Sequence, residues 1–407
     1  MRVVVIGGGQ AGASVASKLR NLGFEGDILL FTDESEPPYE RPPLSKKHLL
    51  QDAADTPVSI LAAGFWQENQ VDLRLETKVD AIDPVKCSVL VGPDRFPYDH
   101  LVLATGSSAR RLPVEGARDR KNMFHLRSLA DANALRAELK PGKSMVLIGG
   151  GYIGMELAAT AKMRGLETTV IERDERILNR VASAALSNRI AEWHRGQGVS
   201  VFEAVKSVCL SGETACGVVQ LSNGTDIPAD IIVAGIGAVP NTGLAEAAGL
   251  FLDNGIAVDS FGRTSQPNIW AAGDCASFVF DGLRIRLESV QNAIDQAETV
   301  AQNIVGASME YVPTPTFWSA QFDHLIQMVG LYDSDMETVC RRATSGTSYW
   351  HYRSGILKAV EVIDDPKTFS IARRLLSDGM SPSPELVASV DRNLKEILKA
   401  AREPAAA

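Results

Sequence analysis

The sequence has few of the residues that disulfide frameworks and metal centres require. Five cysteines occur in 407 residues, at Cys87, Cys209, Cys216, Cys275 and Cys340, and no pair has Cys-x-x-Cys spacing. The six histidines are scattered, and none lies four residues from another. These patterns argue against a disulfide scaffold, a zinc ribbon, a dithiol active site and a histidine metal site. We therefore predict no metal, and a reducing cytoplasmic location.

Acidic residues outnumber basic ones, 50 to 41, and long apolar runs are scarce. The formal net charge is −9, which argues against nucleic-acid binding because that function needs a basic face. No stretch reaches the roughly 18 apolar residues of a spanning helix. The closest, Met145 to Met163, contains four glycines and Glu156. We therefore expect neither a nucleic-acid partner nor membrane insertion.

Glycine, in contrast, is plentiful, with 34 residues, and it belongs to a long-range repeat. The β-branched run Val3–Ile6 precedes a Gly-x-Gly-x-x-Gly turn and a helical pattern, and the same order recurs from Met145. The first turn holds Gly7, Gly9 and Gly12, and the second, 142 residues later, holds Gly149, Gly151 and Gly154. Two such copies, each between a strand and a helix, predict two dinucleotide-binding units. The glycines allow a tight turn, approach of a pyrophosphate, and close packing of helix on strand.

The acidic residues that follow each second strand indicate which dinucleotides bind. Glu172 follows Val170-Ile171 and is suited to ribose hydroxyls, which favours NADH over NADPH. Arg173 and Arg176 keep the NADPH alternative open, since arginine can bind a 2′-phosphate. In the first copy Asp33 is the predicted ribose ligand, with Glu34 as the alternative.

Two further buried strands end in small-residue turns and suggest that the other dinucleotide is a flavin. One ends in Ala104, Thr105 and Gly106, and the other ends in Gly273 and Asp274. The Asp274 carboxylate is suited to ribityl hydroxyls. The alternative is an ordinary helix N-cap, for which aspartate is common.

These motifs, in this order, resemble those of the putidaredoxin reductase-like, FAD-dependent ferredoxin reductases of the glutathione reductase fold. The resemblance covers residues 1 to about 332 and rests on the segments 38–46, 149–156, 234–241, 273–276, 286–293 and 317–319. It implies an α/β protein with two Rossmann-like dinucleotide-binding domains and a C-terminal α+β domain. It also implies that FAD takes a hydride from NADH and passes single electrons to a [2Fe–2S] ferredoxin. That ferredoxin would serve a cytochrome P450 or a ring-hydroxylating dioxygenase.

The resemblance also implies roles for individual residues. Lys46, paired with Glu156, would stabilise negative charge on the reduced flavin; the alternative is a solvated surface lysine. Tyr152 would be an aromatic cover for the nicotinamide site, or else an ordinary helix residue. Trp318 would lie near the flavin edge, or else in the core. The remaining implied FAD contacts are Ala11, Arg41, Val79, Arg127 and Val290, and the remaining NAD contacts are Ile153 and Gly237.

One departure from related enzymes excludes a class of chemistry. Disulfide reductases of this fold carry a cysteine pair where this chain has the Pro42–Lys46 stretch, and peroxidase-type members carry one cysteine there. Neither is present, so we exclude thiol chemistry at the flavin. The open alternatives are a peroxide-forming NADH oxidase and a redox-gated flavoprotein interaction partner.

The domain boundaries follow from the order of the motifs. We predict a discontinuous FAD-binding domain at 1–111 and 241–318, and an inserted NAD-binding domain at 112–240. A C-terminal interface domain would occupy 319–407, with strands at Ser348–Tyr352 and Leu357–Val362 and helices near Thr368–Leu376 and Pro384–Ala401.

Overall fold

The computed structural model describes residues 1–51, 58–212 and 217–401. Cys216 and the C-terminal tail after Ala401 therefore lie outside the described residues. The described residues form two compact units. The first unit draws on Met1–Arg41, Thr56–Ser108 and Ala238–Pro313, and the second draws on Pro42–Asp55, Ala109–Gly237 and Thr314–Ala407. The three-domain division remains a prediction.

A five-stranded parallel sheet is the centre of the first unit. Its strands are, in spatial order, Ile269–Ala271, His100–Leu103, Arg2–Ile6, Asp27–Phe31 and Val71–Arg74. Alternate residues of the middle strand enter different cores: Val3 and Val5 enter one, and Val4 and Ile6 enter the other. A strand that is covered on both faces needs apolar residues at every position, which explains the continuous run seen in the sequence.

Helices and small sheets complete the first unit. The helix Gln10–Asn21 follows the first glycine turn and packs against the helix Val290–Ile304. Shorter helices span Phe65–Glu68 and Gly243–Ala247. The small sheets consist of Ala81–Asp83, Ser88–Val91 and Asp94–Pro97, and of Ile256–Ala257, Ala276–Phe280 and Leu283–Ile285. Two other short strands span Ser107–Ala109 and Ala238–Pro240.

The second unit contains another five-stranded parallel sheet. Its strands are, in order, Ser200–Phe202, Glu167–Ile171, Ser144–Ile148, Ile231–Ala234 and Met123–Phe124. The accompanying helices are Leu129–Glu138, Tyr152–Met163 and Ala184–Gly196. A three-stranded antiparallel sheet spans Val208–Gly212, Gly217–Leu221 and Asp226–Ala229, and a turn at Asn223-Gly224 joins its last two strands. A 3₁₀ turn at Pro42–Ser45 leads into the short helix Lys47–Leu50, and another 3₁₀ turn spans Ala117–Asp119.

An antiparallel sheet forms the C-terminal part of the second unit. Its strands are, in order, Thr316–Gln321, His324–Gly330, Ile356–Ile363, Gly346–Arg353 and Glu337–Ala343. The helix Pro366–Ser377 follows, as predicted. The predicted helix from Pro384 is instead two helices, Pro384–Ala388 and Leu394–Ala400. The chain leaves helical geometry at Ser389, and the Asn393 side chain caps a new helix by accepting from the Glu396 N–H.

Asp365 is the N-cap of the helix Pro366–Ser377. Its hydrogen bonds allow the stability of this part of the fold to be tested. Its carboxylate accepts from the Thr368 N–H at 3.1 Å, the Thr368 hydroxyl at 2.7 Å and the Ser345 hydroxyl at 2.5 Å. Burial acts to raise the Asp365 pKa, but these hydrogen bonds outweigh it and the pKa is lowered. The ionised carboxylate therefore stabilises the folded state above the ordinary aspartate pKa, and this contribution is lost as the pH falls through the lowered value.

We expect Asp365→Asn to lower the free energy of unfolding by about 2 kcal/mol at neutral pH, since hydrogen bonds to a charged group are lost. Urea unfolding of both proteins should show this difference shrinking below the ordinary aspartate pKa of 3.8. Asp378→Asn, near the other end of the same helix, is the control and should have little effect. A difference that does not depend on pH would contradict this role for the carboxylate.

Candidate functional site

The first glycine turn has room for a ligand at one position only. Gly7 has a φ of +119°, and a Cβ there would lie 2.1 Å from the Ala104 carbonyl oxygen. A Cβ on Gly12 would lie 2.0 Å from the Gly7 carbonyl oxygen, whereas a Cβ on Gly9 would meet nothing within 4 Å. Packing of the chain thus requires glycine at positions 7 and 12, and the open side of Gly9 is free for a ligand. Gly9 is also the N-cap of the helix Gln10–Asn21, which no side chain caps.

The second turn repeats this geometry. Gly149 has a φ of +112° and a prospective Cβ 2.3 Å from the Gly235 oxygen, and the Gly154 Cβ would lie 2.2 Å from the Gly149 oxygen. Gly151 again has nothing within 4 Å and caps the helix Tyr152–Met163 without a side-chain hydrogen bond. Uncapped N–H groups beside an open glycine fit a pyrophosphate. Both turns therefore fit the dinucleotides that the sequence predicted.

Strand register shows that the two copies differ at the predicted ribose position. Ile148 pairs with Ile171, so Glu172 is the first residue after the strand; its carboxylate accepts from the Gly150 N–H at 2.7 Å. In the first copy Ile6 pairs with Phe31, so Thr32 takes that place. Thr32 was not among the predicted ribose residues, although its place directly after the second strand is visible in the sequence.

The two acidic candidates in the first copy have different surroundings. Asp33 is exposed, one residue beyond Thr32. The Glu34 carboxylate accepts from the Tyr39 hydroxyl and pairs with Arg41. Burial acts to lower the Arg41 pKa, but Tyr39 and Glu34 outweigh it and the pKa is raised. The role of Asp33 at the flavin ribose remains a prediction.

The two arginines near Glu172 are both engaged with nearby groups. Arg173 pairs with Asp174 at 3.5 Å, and Arg176 donates to the carbonyl oxygens of Ala182 and Asn179. The Asp174 N–H donates to the second Glu172 oxygen at 2.8 Å. The preference for NADH over NADPH at this position remains a prediction.

The small-residue turns of the first unit converge around Asp274. The Ser107 hydroxyl donates to the Asp274 carboxylate at 3.0 Å, and the Thr105 hydroxyl donates to the Asn241 carbonyl at 2.7 Å. The Gly273 N–H donates to Gln296 at 2.8 Å. No helix follows Asp274 directly, since the chain enters the strand Ala276–Phe280. The helix N-cap alternative is therefore wrong, and a ribityl contact remains the prediction for Asp274.

The other predicted flavin residues of the first unit lie in the core, at a helix start or in a turn. Ala11 and Val79 are buried, and Val290 is the first residue of a helix that Ser289 caps. Gly106 has a φ of +65° and accepts from the Asn241 N–H at 2.9 Å. Arg127 belongs to the second unit, where its backbone N–H donates to Asp131 at 3.0 Å.

The second unit holds a buried ion pair between Lys46 and Glu156. The Lys46 ammonium lies 2.6 Å from the Glu156 carboxylate, and the two side chains are 18% and 5% exposed. The carboxylate also accepts from the Ser45 hydroxyl at 2.5 Å and from the Ser319 hydroxyl at 2.6 Å. Lys46 is thus not a solvated surface lysine, and that alternative is wrong.

Aromatic residues extend this cluster. The Lys46 nitrogen lies 5.0 Å from the centre of the Trp318 ring, within cation–π range, and Trp318 is 44% exposed. Core packing therefore does not explain Trp318. The Tyr152 ring lies 4.6 Å from Phe317, and its hydroxyl donates to the Met328 sulfur at 2.8 Å. Burial, with the nearby charges of Glu361 and Glu156, raises the Tyr152 pKa well above its ordinary value.

The remaining predicted nicotinamide residues lie at the surface of the second unit or in its turns. Ile153 is 47% exposed at the start of the helix Tyr152–Met163. Gly237 has a φ of +101° and accepts from the Arg110 N–H at 2.9 Å. Among residues 1–51, 58–212 and 217–401, no group of metal ligands and no helix able to cross a membrane occurs.

Comparison with known proteins identifies the family. The family model described as pyridine nucleotide-disulphide oxidoreductase matches residues 1–297, and the reductase C-terminal model matches residues 316–398. The chain belongs to the pyridine nucleotide-disulphide oxidoreductase family. It is therefore an FAD-dependent oxidoreductase that uses a nicotinamide dinucleotide, as the two glycine turns predicted.

Individual relatives show which members of the family this chain resembles. The chain is 38% identical over 405 residues to the 5,5'-dehydrodivanillate O-demethylase ferredoxin reductase subunit of Sphingobium sp., covering 98% of each chain. It is 37% identical over 374 residues to a rubredoxin-NAD(+) reductase of Pseudomonas putida, covering 90% of this chain and 97% of the relative. The solved covalent complex of putidaredoxin reductase with putidaredoxin matches with a TM-score of 0.93 and 35% identity over 98% of this chain and 99% of that one. The predicted fold class and family resemblance are confirmed.

We expect Glu172→Gln to lower the preference for NADH over NADPH about tenfold, because the charge that repels a 2′-phosphate is removed. Glutamine keeps an oxygen to accept from the Gly150 N–H, so the turn should be preserved. The ratio of kcat/KM values for the two dinucleotides measures the effect. An unchanged ratio would show that another residue selects the dinucleotide.

Proposed function

We propose that this protein is an NADH-dependent ferredoxin reductase whose Lys46–Glu156 pair serves the bound flavin. The observation that carries the proposal is the largely buried Lys46–Glu156 ion pair. Its lysine belongs to the Pro42–Lys46 segment, where the resemblance places the cysteines of disulfide reductases. A redox-active disulfide would divert electrons to thiols. A buried ammonium instead offers positive charge without a redox reaction of its own.

When bound, FAD supplies the chemistry that accepts a hydride from NADH and releases electrons one at a time. The contribution of the chain is orientation and electrostatics. The open sides of Gly9 and Gly151 bind pyrophosphates, and Glu172 orients the NADH ribose. Asp274, held by Ser107, binds the ribityl chain. Tyr152 would cover the nicotinamide site.

Lys46 would supply positive charge as the flavin gains negative charge. Glu156 fixes the ammonium, and the hydroxyls of Ser45 and Ser319 satisfy the other carboxylate lone pairs. A buried ion pair is stable only if such extra hydrogen bonds offset its desolvation. The pair is thus preorganised, so that it needs no rearrangement when charge develops.

The proposed electron acceptor is a [2Fe–2S] ferredoxin of a cytochrome P450 or ring-hydroxylating dioxygenase system. Relatives named for a ferredoxin and a complex with putidaredoxin support this choice. The exposed Trp318 ring offers an apolar contact for such a partner. A relative named for rubredoxin makes rubredoxin the second candidate acceptor. The free thiols of Cys87 and Cys275 fit a cytoplasmic location.

NADH-driven reduction of cytochrome c, with and without an added [2Fe–2S] ferredoxin, tests this function. We expect a large ferredoxin-dependent rise, because the ferredoxin carries single electrons to the cytochrome. Rubredoxin replaces the ferredoxin in a parallel assay. NADH consumption with peroxide formation, and no rise with several ferredoxins, would support the NADH oxidase alternative.

We expect Lys46→Met to slow flavin reduction by NADH about tenfold or more, or to weaken FAD retention, since it leaves the Glu156 charge without its partner. Anaerobic stopped-flow spectroscopy and the FAD content of the purified protein measure the two effects. Lys47→Met removes the neighbouring, exposed charge and should change neither. A wild-type reduction rate with full FAD occupancy in Lys46→Met would refute the assignment.

A further inference from the structure

A line of buried polar side chains extends from Glu156 into the second unit. Ser319 and Gln321 lie on the strand Thr316–Gln321, and His194 lies in the last turn of the helix Ala184–Gly196. The Ser319 hydroxyl is 2.6 Å from Glu156, the Gln321 amide nitrogen is 3.1 Å from Ser319, and the His194 Nε2 is 2.9 Å from the Gln321 amide oxygen. Ser319, Gln321 and His194 are all at most 1% exposed.

The chemistry of the groups gives this line a direction. An ionised Glu156 carboxylate can only accept hydrogen bonds, so the Ser319 hydroxyl donates its single hydrogen to it. The Ser319 oxygen then accepts from Gln321, whose NH₂ group must face it. That orientation turns the Gln321 amide oxygen toward His194 and makes it an acceptor. The His194 Nε2 must therefore carry a proton.

The second ring nitrogen of His194, Nδ1, has an unusual environment. Nδ1 is buried and has no hydrogen-bond partner among the described residues. Burial lowers the His194 pKa to about 4, although the hydrogen bond to Gln321 opposes this shift. The ring is therefore neutral near pH 7, and its Nδ1 carries no proton and accepts no hydrogen bond from the described residues. Buried polar atoms are rarely left without partners, so this arrangement calls for a compensating role.

We propose that Ser319, Gln321 and His194 are positioning residues for Glu156 and, through it, for Lys46. Each group donates toward the carboxylate, which fixes its orientation. The chain thereby ties the ammonium to a helix and a strand that are distant in sequence. This inference rests on the proposed role of the Lys46–Glu156 pair at the flavin.

The first test reads the protonation of the His194 ring directly. Long-range ¹H–¹⁵N NMR of the FAD-loaded protein with ¹⁵N-labelled histidine reports which ring nitrogen carries the proton. His194→Gln identifies the resonances. We expect the Nε2–H tautomer, neutral at pH 7. The Nδ1–H tautomer or a charged ring would reverse or break the donor chain and would overturn the proposal.

The second test measures the midpoint potential of bound FAD. We expect Ser319→Ala to shift it with the same sign as Glu156→Gln but by less, because one of several donors to the carboxylate is lost. Ser319→Thr keeps the hydroxyl and should restore the wild-type potential. Ser187→Ala removes another fully buried hydroxyl, one that donates to the Ile177 carbonyl, and should leave the potential unchanged.

The outcomes separate this inference from the proposed function. An unshifted potential in Glu156→Gln would contradict the flavin role of the ion pair, and the positioning role would fail with it. A shift in Glu156→Gln with none in Ser319→Ala would overturn only the present inference. Shifts in both variants, with recovery in Ser319→Thr, would support it.

Discussion

The buried carboxylate of Glu156 is the constraint on which the second unit depends. One negative charge, almost shielded from water, gathers the Lys46 ammonium and the hydroxyls of Ser45 and Ser319. These groups come from a 3₁₀ turn, a neighbouring loop residue and a strand of the C-terminal sheet. Removing one partner of a buried ion pair typically costs about 3–5 kcal/mol. The charge thus acts as a point of attachment for segments far apart in sequence.

A second constraint is steric and appears in both units. Carbonyl oxygens of Gly7 and Gly149 approach the helices so closely that Gly12 and Gly154 have no room for a Cβ. The backbones of helix and strand are therefore in direct contact, with no side chain between them. The helix N-terminus lies at the end of the strand. At Gly9 and Gly151, in contrast, a Cβ would meet no other part of the chain. Their open sides are where the same backbone can approach a ligand.

The two copies of this motif differ at the residue that follows the second strand. Glu172 bridges the Gly150 and Asp174 N–H groups and presents a charge beside the turn. Thr32 occupies the matching place in the first copy, and the acidic residues follow it. An exchangeable dinucleotide needs a selective contact at this point. A tightly held flavin has many other contacts and depends less on one carboxylate.

Local patterns in the sequence by themselves determined the two parallel sheets, the glycine turns and the absence of a cysteine pair at Pro42–Lys46, because strand, turn and helix signals are short-range. The family resemblance supplied the pairing of Lys46 with Glu156. Only the tertiary structure decided that Asp274 precedes a strand and that Trp318 is exposed. The chain from Ser319 through Gln321 to His194 was likewise invisible, since its members are separated by up to 127 residues. Hydrogen bonds between distant side chains leave no periodicity in a sequence, and burial at such positions depends on how the segments pack.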